Sequence, residues 1–112
     1  MTEKNKAEIW LVDLSGSKGH EQKGERPAII WRDLDHVKMA IVIPFTTTDK
    51  CARLPYTCLI SPSLNNGLEK DSVVLVSQIT TIDKRRLTKK IGTLKDGEIN
   101  QITGLLKDML RL

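Results

Sequence analysis

The chain has 112 residues, of which 39% are hydrophobic and 29% charged, so it is long enough for one domain with a single core and too short for two. This composition disfavours a disordered or fibrous protein, and the longest apolar run, residues 39–43, is far shorter than the ~20 residues that a membrane helix needs. The net charge of +4 favours a polyanionic or acidic partner. Its densest part, KRRLTKK at residues 84–90, is by itself more typical of a solvated surface than of a nucleic-acid site.

The N-terminal segment, residues 1–7, is polar and is expected to be disordered, which leaves residues 8–112 as the domain. The first residues contain no apolar stretch that would indicate a secretory signal, so a soluble, cytoplasmic protein is expected. Cys51 and Cys58 lack the spacing of zinc ligands and are expected to be free thiols. Neither a metal nor a cofactor is predicted.

Alternating and β-branched segments predict strands, in chain order, at residues 8–14, 26–32, 38–45, 56–60 and 72–79. In the first strand, strict alternation places Ile9 and Leu11 on one face and Trp10 and Val12 on the other. The connection between the first two strands, SGSKGHEQKGE, is long and polar, as functional loops in compact domains often are. The segment LNNGLEKD has the composition of a turn, because asparagine and glycine tolerate positive φ.

A C-terminal amphipathic helix is predicted from apolar residues that recur on one helical face, with Asp96 as a candidate N-cap; these residues are Ile99, Ile102, Leu105, Leu106, Met109 and Leu110. One helix with five to seven short strands indicates a mainly β, α+β domain, either a small antiparallel barrel or a sandwich, with the helix packed on one side.

Two motifs carry functional information. The first, GHEQKGERPAII, gathers a histidine, a carboxylate and a guanidinium ahead of a strand, and the second is DSVVLVSQITTIDKRRL at residues 71–87. Together, in this order and 40-odd residues apart, they resemble the MazF/PemK (Kid-like) toxin family, the mRNA interferases of bacterial type II toxin–antitoxin systems. The resemblance covers residues 8–112.

This resemblance implies an SH3-like antiparallel β-barrel with a C-terminal helix, a homodimer, and a cognate antitoxin of the MazE/PemI kind with an acidic tail. It also implies sequence-specific, metal-independent cleavage of single-stranded RNA by attack of a 2′-hydroxyl on its own phosphate. DNA would be spared because it lacks that nucleophile.

The resemblance assigns catalytic roles to Arg26, Thr46, Glu21 and His20. Arg26 would hold two phosphate oxygens with its planar fork, and Thr46 would donate a hydrogen bond to the same phosphate. Glu21 or His20 would carry protons, since an unperturbed imidazole titrates near ~6.5. A purely structural Arg26, paired with Glu8 or Glu25, is the competing interpretation. Contacts to RNA are expected from Gln22, Lys23, Thr47, Thr48 and Gln78.

The second motif departs from the PemK/Kid pattern. Leu75 and Ser77 stand where that branch has a proposed acid and base, and Thr80 replaces a cationic residue. The alternative hypothesis is therefore a catalytically weakened or inactive relative that binds RNA or antitoxin. A gyrase-poisoning relative like CcdB is disfavoured, because the RP and PFT motifs belong to the ribonuclease branch.

Overall fold

The computed structural model describes residues 7–13, 24–47 and 49–112. Within them the chain forms one α-helix, α1 (Asp96–Leu110), and seven strands: β1 (Glu8–Asp13), β2 (Glu25–Leu34), β3 (Met39–Thr46), β4 (Thr57–Ile60), β5 (Ser72–Leu75), β6 (Thr80–Asp83) and β7 (Leu87–Thr93). Short 3₁₀ turns occupy Asp35–Val37, Asp49–Arg53, Val76–Gln78 and Lys84–Arg86. The predicted mainly β domain with one C-terminal helix is confirmed. No helix within these ranges is long and apolar enough to cross a membrane.

All strand pairs are antiparallel, and the strands follow one another in the order β4-β5-β3-β2-β1-β7. β6 pairs with β3 off this path. Among the described residues no pairing joins β4 to β7, and closure of the sheet into the expected barrel is not seen. The sheet is nevertheless strongly curved. β6 lies beside β3 and β7 lies beside β1, yet only the three-residue turn Lys84–Arg86 separates β6 from β7 in the chain, and three residues span at most about 10 Å.

Two strands share one edge of β3. β6 pairs with the first half of β3, where Val42 lies opposite Thr80, and β5 pairs with its end, where Phe45 lies opposite Val74. The predicted single strand at residues 72–79 is therefore wrong, because the 3₁₀ turn Val76–Gln78 divides it. β5 ends at Leu75, the residue that the register brings opposite Pro44, and Pro44 has no N–H to donate to a ladder.

Apolar side chains cover both faces of the sheet. One cluster contains Ile9, Ile29, Ile43 and Phe45, and the buried residues Ile102 and Leu106 of α1 pack into it. A second cluster on the opposite face consists of Val12, Ala28, Ile30, Ala40 and Val42. Strands buried on both faces show continuous apolar runs rather than alternation.

The first strand shows this effect most clearly. Its two buried residues are Ile9 and Val12. In a regular strand, residues three apart lie on opposite faces of the sheet. Ile9 and Val12 belong to the two different clusters, and the register with β7 shifts between Ile9 and Trp10 and again between Leu11 and Val12. Ala7, which the sequence placed in a disordered terminus, is already buried, with its N–H donating to the Ile30 carbonyl at 2.9 Å.

The helix begins at the predicted cap residue itself, one residue earlier than a cap at Asp96 implies. Asp96 is its first helical residue and Lys95 holds the N-cap position, so the assignment of Asp96 as N-cap is wrong. The Glu98 carboxylate accepts a hydrogen bond from the Lys95 N–H at 2.9 Å. This contact satisfies one of the backbone donors that every helix start leaves open.

The turn around Gly67 packs closely against β7. Asn66 is 1% exposed, and its amide oxygen accepts hydrogen bonds from the N–H groups of Ser63 (3.1 Å) and Leu68 (3.0 Å). Gly67 has a φ of 70°, and a Cβ atom added there would lie 2.1 Å from the Ile91 carbonyl oxygen. Only glycine meets both the backbone angle and the close approach.

Gly67→Ala should therefore lower the free energy of unfolding by about 3 kcal/mol, since it adds left-handed strain to a backbone clash. Urea denaturation followed by circular dichroism measures the change. Gly104→Ala is the matched control, because its added Cβ would meet nothing within 4 Å beyond its chain neighbours and the adjacent backbone of α1. In the middle of α1, this control should stabilise the protein by about 0.5–1 kcal/mol. If the two substitutions changed the free energy of unfolding equally, the close packing of Gly67 against β7 would be contradicted.

Candidate active site

Arg26 and Thr46 lie at the same end of two neighbouring strands. Ala28 of β2 pairs with Pro44 of β3, and Arg26 precedes Ala28 by two residues while Thr46 follows Pro44 by two. Because the strands are antiparallel, these two steps lead to the same level of the sheet. Beyond Pro44, β3 continues beside β5, where Thr46 pairs with Val73.

The two residues also share a face. Arg26, Ala28 and Ile30 alternate along β2, and Ala28 and Ile30 belong to the second cluster. Thr46 has the same relation to Val42 of β3, which belongs to that cluster too. The register, continued two residues past the Ala28–Pro44 pair, therefore brings Arg26 and Thr46 to the same end of the second cluster.

Arg26 is exposed, and no ion pair joins it to another described residue. Glu8, one of its two proposed structural partners, is occupied elsewhere: it accepts a hydrogen bond from the Trp10 indole at 2.8 Å and pairs with Lys90 at 3.3 Å. Glu25, the other, is also exposed. The described contacts thus favour a guanidinium available to a ligand over a structural one.

A row of paired residues extends from Arg26 across the neighbouring strands. Arg26 pairs with Val12 of β1, which in turn pairs with Leu87 of β7. In the next register pair of β1 and β2, Asp13 lies opposite Glu25. Since neighbours along a strand face opposite sides, these two carboxylates lie on the other face from Arg26 and receive no role in the site.

The other predicted residues are distributed differently. Thr47 is exposed and directly follows Thr46. Gln78 is exposed in the 3₁₀ turn Val76–Gln78, beside the outer edge of β3. Ser77 lies in the same turn and is exposed, whereas Leu75 is buried at the end of β5.

Five of the predicted residues lie outside the described part of the chain, namely His20, Glu21, Gln22, Lys23 and Thr48. Their expected roles stay predictions.

The basic run forms structure rather than a uniform solvated surface. It contains a 3₁₀ turn followed by β7, a strand that sequence patterning missed. Lys84 donates hydrogen bonds to Asp33 at 2.8 Å and Asp35 at 2.9 Å. These bonds, that to Asp33 foremost, raise the pKa of Lys84, and the same ammonium lowers the pKa of Asp35.

A neighbouring pair joins Arg85 to Asp83 at 2.9 Å. Hydrogen bonds from the Arg85 side chain and backbone hold the pKa of Asp83 at about 2. A surface pocket of about 410 Å³ opens among these groups, lined by Asp35, Lys38, Asp83, Lys84 and Arg85. It lies at the first residues of β3, where Met39 pairs with Asp83. Thr46 is seven residues away along that strand, about 23 Å at ordinary strand rise, so the pocket is separate from the Arg26 site.

The described residues contain no group of three or more histidine, cysteine, aspartate or glutamate side chains placed to hold a metal ion. Cys58 is buried within β4, and burial raises the pKa of its thiol. Cys51 is half-buried, and both cysteines are free.

Comparison with known proteins supports the motif interpretation. Residues 5–110 match the family model described as "PemK-like, MazF-like toxin of type II toxin-antitoxin system". The chain is 37% identical over 110 residues to endoribonuclease EndoA of Bacillus subtilis, covering 96% of this chain and 94% of that protein. It is 34% identical over 110 residues to endoribonuclease MazF of Staphylococcus saprophyticus, covering 96% and 91%.

Solved structures show the same fold. MazF from Deinococcus radiodurans superposes with a TM-score of 0.75 at 20% identity over 100% of both chains. An endoribonuclease from a mycobacterial species, solved in complex with its cognate antitoxin, superposes with a TM-score of 0.73 at 21% identity, covering 100% of this chain and 97% of that one.

The Asp83–Arg85 contact predicts a titration. In the wild type the Asp83 carboxyl should titrate near pH 2, and in Arg85→Gln its pKa should rise towards the ordinary value of about 3.9. Because the folded pKa is the lower one, the contact stabilises the fold above pH ~3.9 and loses its effect as the pH falls to about 2. Carboxyl carbon NMR across this range measures both variants. An unchanged Asp83 titration in Arg85→Gln would contradict the assigned cause.

Proposed function

The chain belongs to the PemK-like, MazF-like toxin family of type II toxin–antitoxin systems, and on this premise we propose that it acts as an endoribonuclease toxin held inactive by a cognate antitoxin. The observation that carries the proposal is the placement of Arg26 and Thr46 at one level and on one face of the sheet. The substrate is single-stranded RNA, cleaved sequence-specifically without a metal.

Arg26 stabilises the charge that develops on phosphorus. Attack of the 2′-hydroxyl on the adjacent phosphate forms a new O–P bond and collects negative charge on the non-bridging oxygens. A guanidinium donates two parallel N–H bonds to such oxygens and remains charged at any working pH. Its exposure at the strand end leaves it accessible to the phosphate.

Thr46 and the segment that precedes β2 in the sequence complete the reaction. The Thr46 hydroxyl donates to a phosphate oxygen beside Arg26. One proton leaves the 2′-hydroxyl and another reaches the departing 5′-oxygen as the P–O bond breaks, giving a 2′,3′-cyclic phosphate and a free 5′-hydroxyl. We assign these transfers to Glu21 and His20, the titratable groups of the first motif. Gln22, Lys23, Thr47, Thr48 and Gln78 contact the RNA.

The charge of the protein supports the proposal of an antitoxin partner. The protein carries a net charge of +4, and an acidic tail that folds on binding would compete with RNA for the same cationic groups. The mycobacterial relative was solved in complex with its cognate antitoxin, which supports an antitoxin as a partner of this chain. We further propose a homodimer that acts in the cytoplasm, where its RNA substrate is found.

A second candidate function is a binding module that has lost catalysis. It is motivated by Leu75, whose buried aliphatic side chain cannot transfer protons, and by Ser77 and Thr80, which are exposed but not basic or cationic. Such a protein would bind RNA or antitoxin without cleaving it. RNA binding without any new 5′-hydroxyl ends would favour this module over the enzyme.

Arg26→Ala should reduce the rate of RNA cleavage in EDTA by about a thousandfold, because one preorganised donor to a developing oxyanion contributes ~10²–10³ and the guanidinium supplies two. Gel analysis of a labelled transcript gives the rate. Arg111→Ala is the matched control: it removes an arginine at the end of α1, the helix packed on the other face of the sheet, and should cleave like the wild type. Equal cleavage by Arg26→Ala and the wild type would refute the assignment.

A single 2′-deoxynucleotide at the cleavage position should abolish cleavage there, since the nucleophile is removed while every other contact is kept. The cleaved position is first mapped by sequencing 5′-hydroxyl ends. A 2′-deoxynucleotide two positions away is the control and should be tolerated. Continued cleavage at the deoxy position would show that water, rather than the 2′-hydroxyl, is the nucleophile.

A further inference from the structure

We propose that Leu59 forms one wall of the RNA groove and packs against the base of a nucleotide that flanks the cleaved phosphate. This inference rests on the proposed endoribonuclease function and adds a substrate-positioning residue that neither sequence motif contains.

The strand register brings Leu59 into line with the site. Thr46 of β3 pairs with Val73 of β5, and Val73 pairs with Leu59 of β4. Directly paired residues project their side chains to the same face of a sheet. Leu59 therefore shares the face of Thr46 at the same level, two strands and about 9.5 Å away.

The neighbouring row confirms this orientation. Phe45, Val74 and Cys58 are each one residue from the Thr46–Val73–Leu59 row and pair with one another in the same way. All three are buried in the cluster beneath α1. The Thr46 row must consequently point to the opposite face, which is the face of Arg26.

Leu59 differs from its neighbours in exposure. Val73, between Thr46 and Leu59, is 3% exposed, whereas Leu59 is 59% exposed. β4 is the last strand of the sheet path, so no further described strand covers its outer side. The Leu59 side chain therefore leaves apolar surface in contact with water beside a cationic phosphate site. Burial of that surface against a ligand would lower the free energy.

The segment before β4 holds this wall in place. The Thr57 hydroxyl donates to the Leu54 carbonyl at 2.9 Å and lies within 3.3 Å of the Ala52 carbonyl. Thr57 precedes Leu59 by two residues and shares its face. Leu54, anchored there, is 52% exposed as well.

The chemistry of the row favours a base as occupant. Arg26 and Thr46 offer donors suited to phosphate, and a leucine offers none. Single-stranded RNA presents unstacked bases whose flat faces pack on protein side chains while the phosphates are held elsewhere. With the phosphate at Thr46, a flanking base is the part of the substrate that can reach an apolar surface about one nucleotide away.

The test compares Leu59→Ala with the wild type on oligonucleotides that contain the mapped cleavage site. Three substrates are used: the intact RNA, and RNAs with an abasic ribonucleotide immediately 5′ or 3′ of the cleaved phosphate. On intact RNA the variant should lose about tenfold in kcat/KM, the scale of one lost apolar contact. On one of the two abasic RNAs, the variant and the wild type should be equal. Leu59→Met, which keeps the apolar bulk, should restore cleavage of intact RNA.

Leu110→Ala is the matched control, because Leu110 is similarly exposed, at 55%, on the helix of the other face. It should cleave all three substrates like the wild type. Urea denaturation and sedimentation are measured for every variant.

Three results overturn the inference alone: no loss for Leu59→Ala, the same loss on intact and on both abasic substrates, or dissociation of Leu59→Ala into monomers where the wild type is a dimer, which would make Leu59 a subunit contact. A wild type that cleaves no RNA overturns the proposed function itself, and the inference with it.

Discussion

The register of β2 against β3 determines how Arg26 and Thr46 lie relative to each other. Ala28, Ile29 and Ile30 pair with Pro44, Ile43 and Val42, and the register shifts by one between Ile30 and Arg32. Because side chains alternate with a period of two, a slip of one residue would move all apolar residues of one strand to the wrong face. It would also separate Arg26 from Thr46. The two apolar clusters, one on each face, both oppose such a slip, because each cluster requires its own set of alternate residues from β2 and β3.

This double burial has a consequence for the site. A sheet with one wet face could carry polar residues anywhere along that face, but here both faces of β2 and β3 are apolar in their centres. Polar groups for binding are restricted to the strand ends, where the clusters stop. Arg26 stands two residues before Ala28 and Thr46 four residues after Val42, each at such an end. In the sequence, the segment that carries His20 and Glu21 immediately precedes this end of β2, and its titratable groups are therefore proposed as partners for Arg26.

Sequence patterning predicted the segments but not their interruptions. β2, β3 and α1 were located within one or two residues at most ends, because their apolar content is strong. The break at Val76–Gln78 was missed, since residues 72–79 are rich in β-branched residues and the strands on both sides of the break pair with the same strand, β3, in different registers. β7 was missed for the opposite reason: KRRLTKK has little apolar content, and its strand is imposed by pairing with β1. For the site, motifs selected Arg26 and Thr46, whereas the link between Lys84 and Asp33 depends on residues 51 apart in sequence and had no local signal.

The strand order also explains why the two sides of the site differ in chemistry. Arg26 and Thr46 belong to the two central strands of the path, so the same row of residues runs outward to both edges. In one direction it ends at Leu87 on β7, whose exposed lysines at positions 89 and 90 oppose pairing of that edge with other strands. In the other direction it ends at β4 with Leu59, which has no charge to offer. Lys84, Arg85 and Lys90 are paired with nearby carboxylates, so the count of eighteen basic residues overstates the cationic groups available to RNA. Phosphate attraction therefore concentrates at Arg26, and the apolar β4 side is left for the bases.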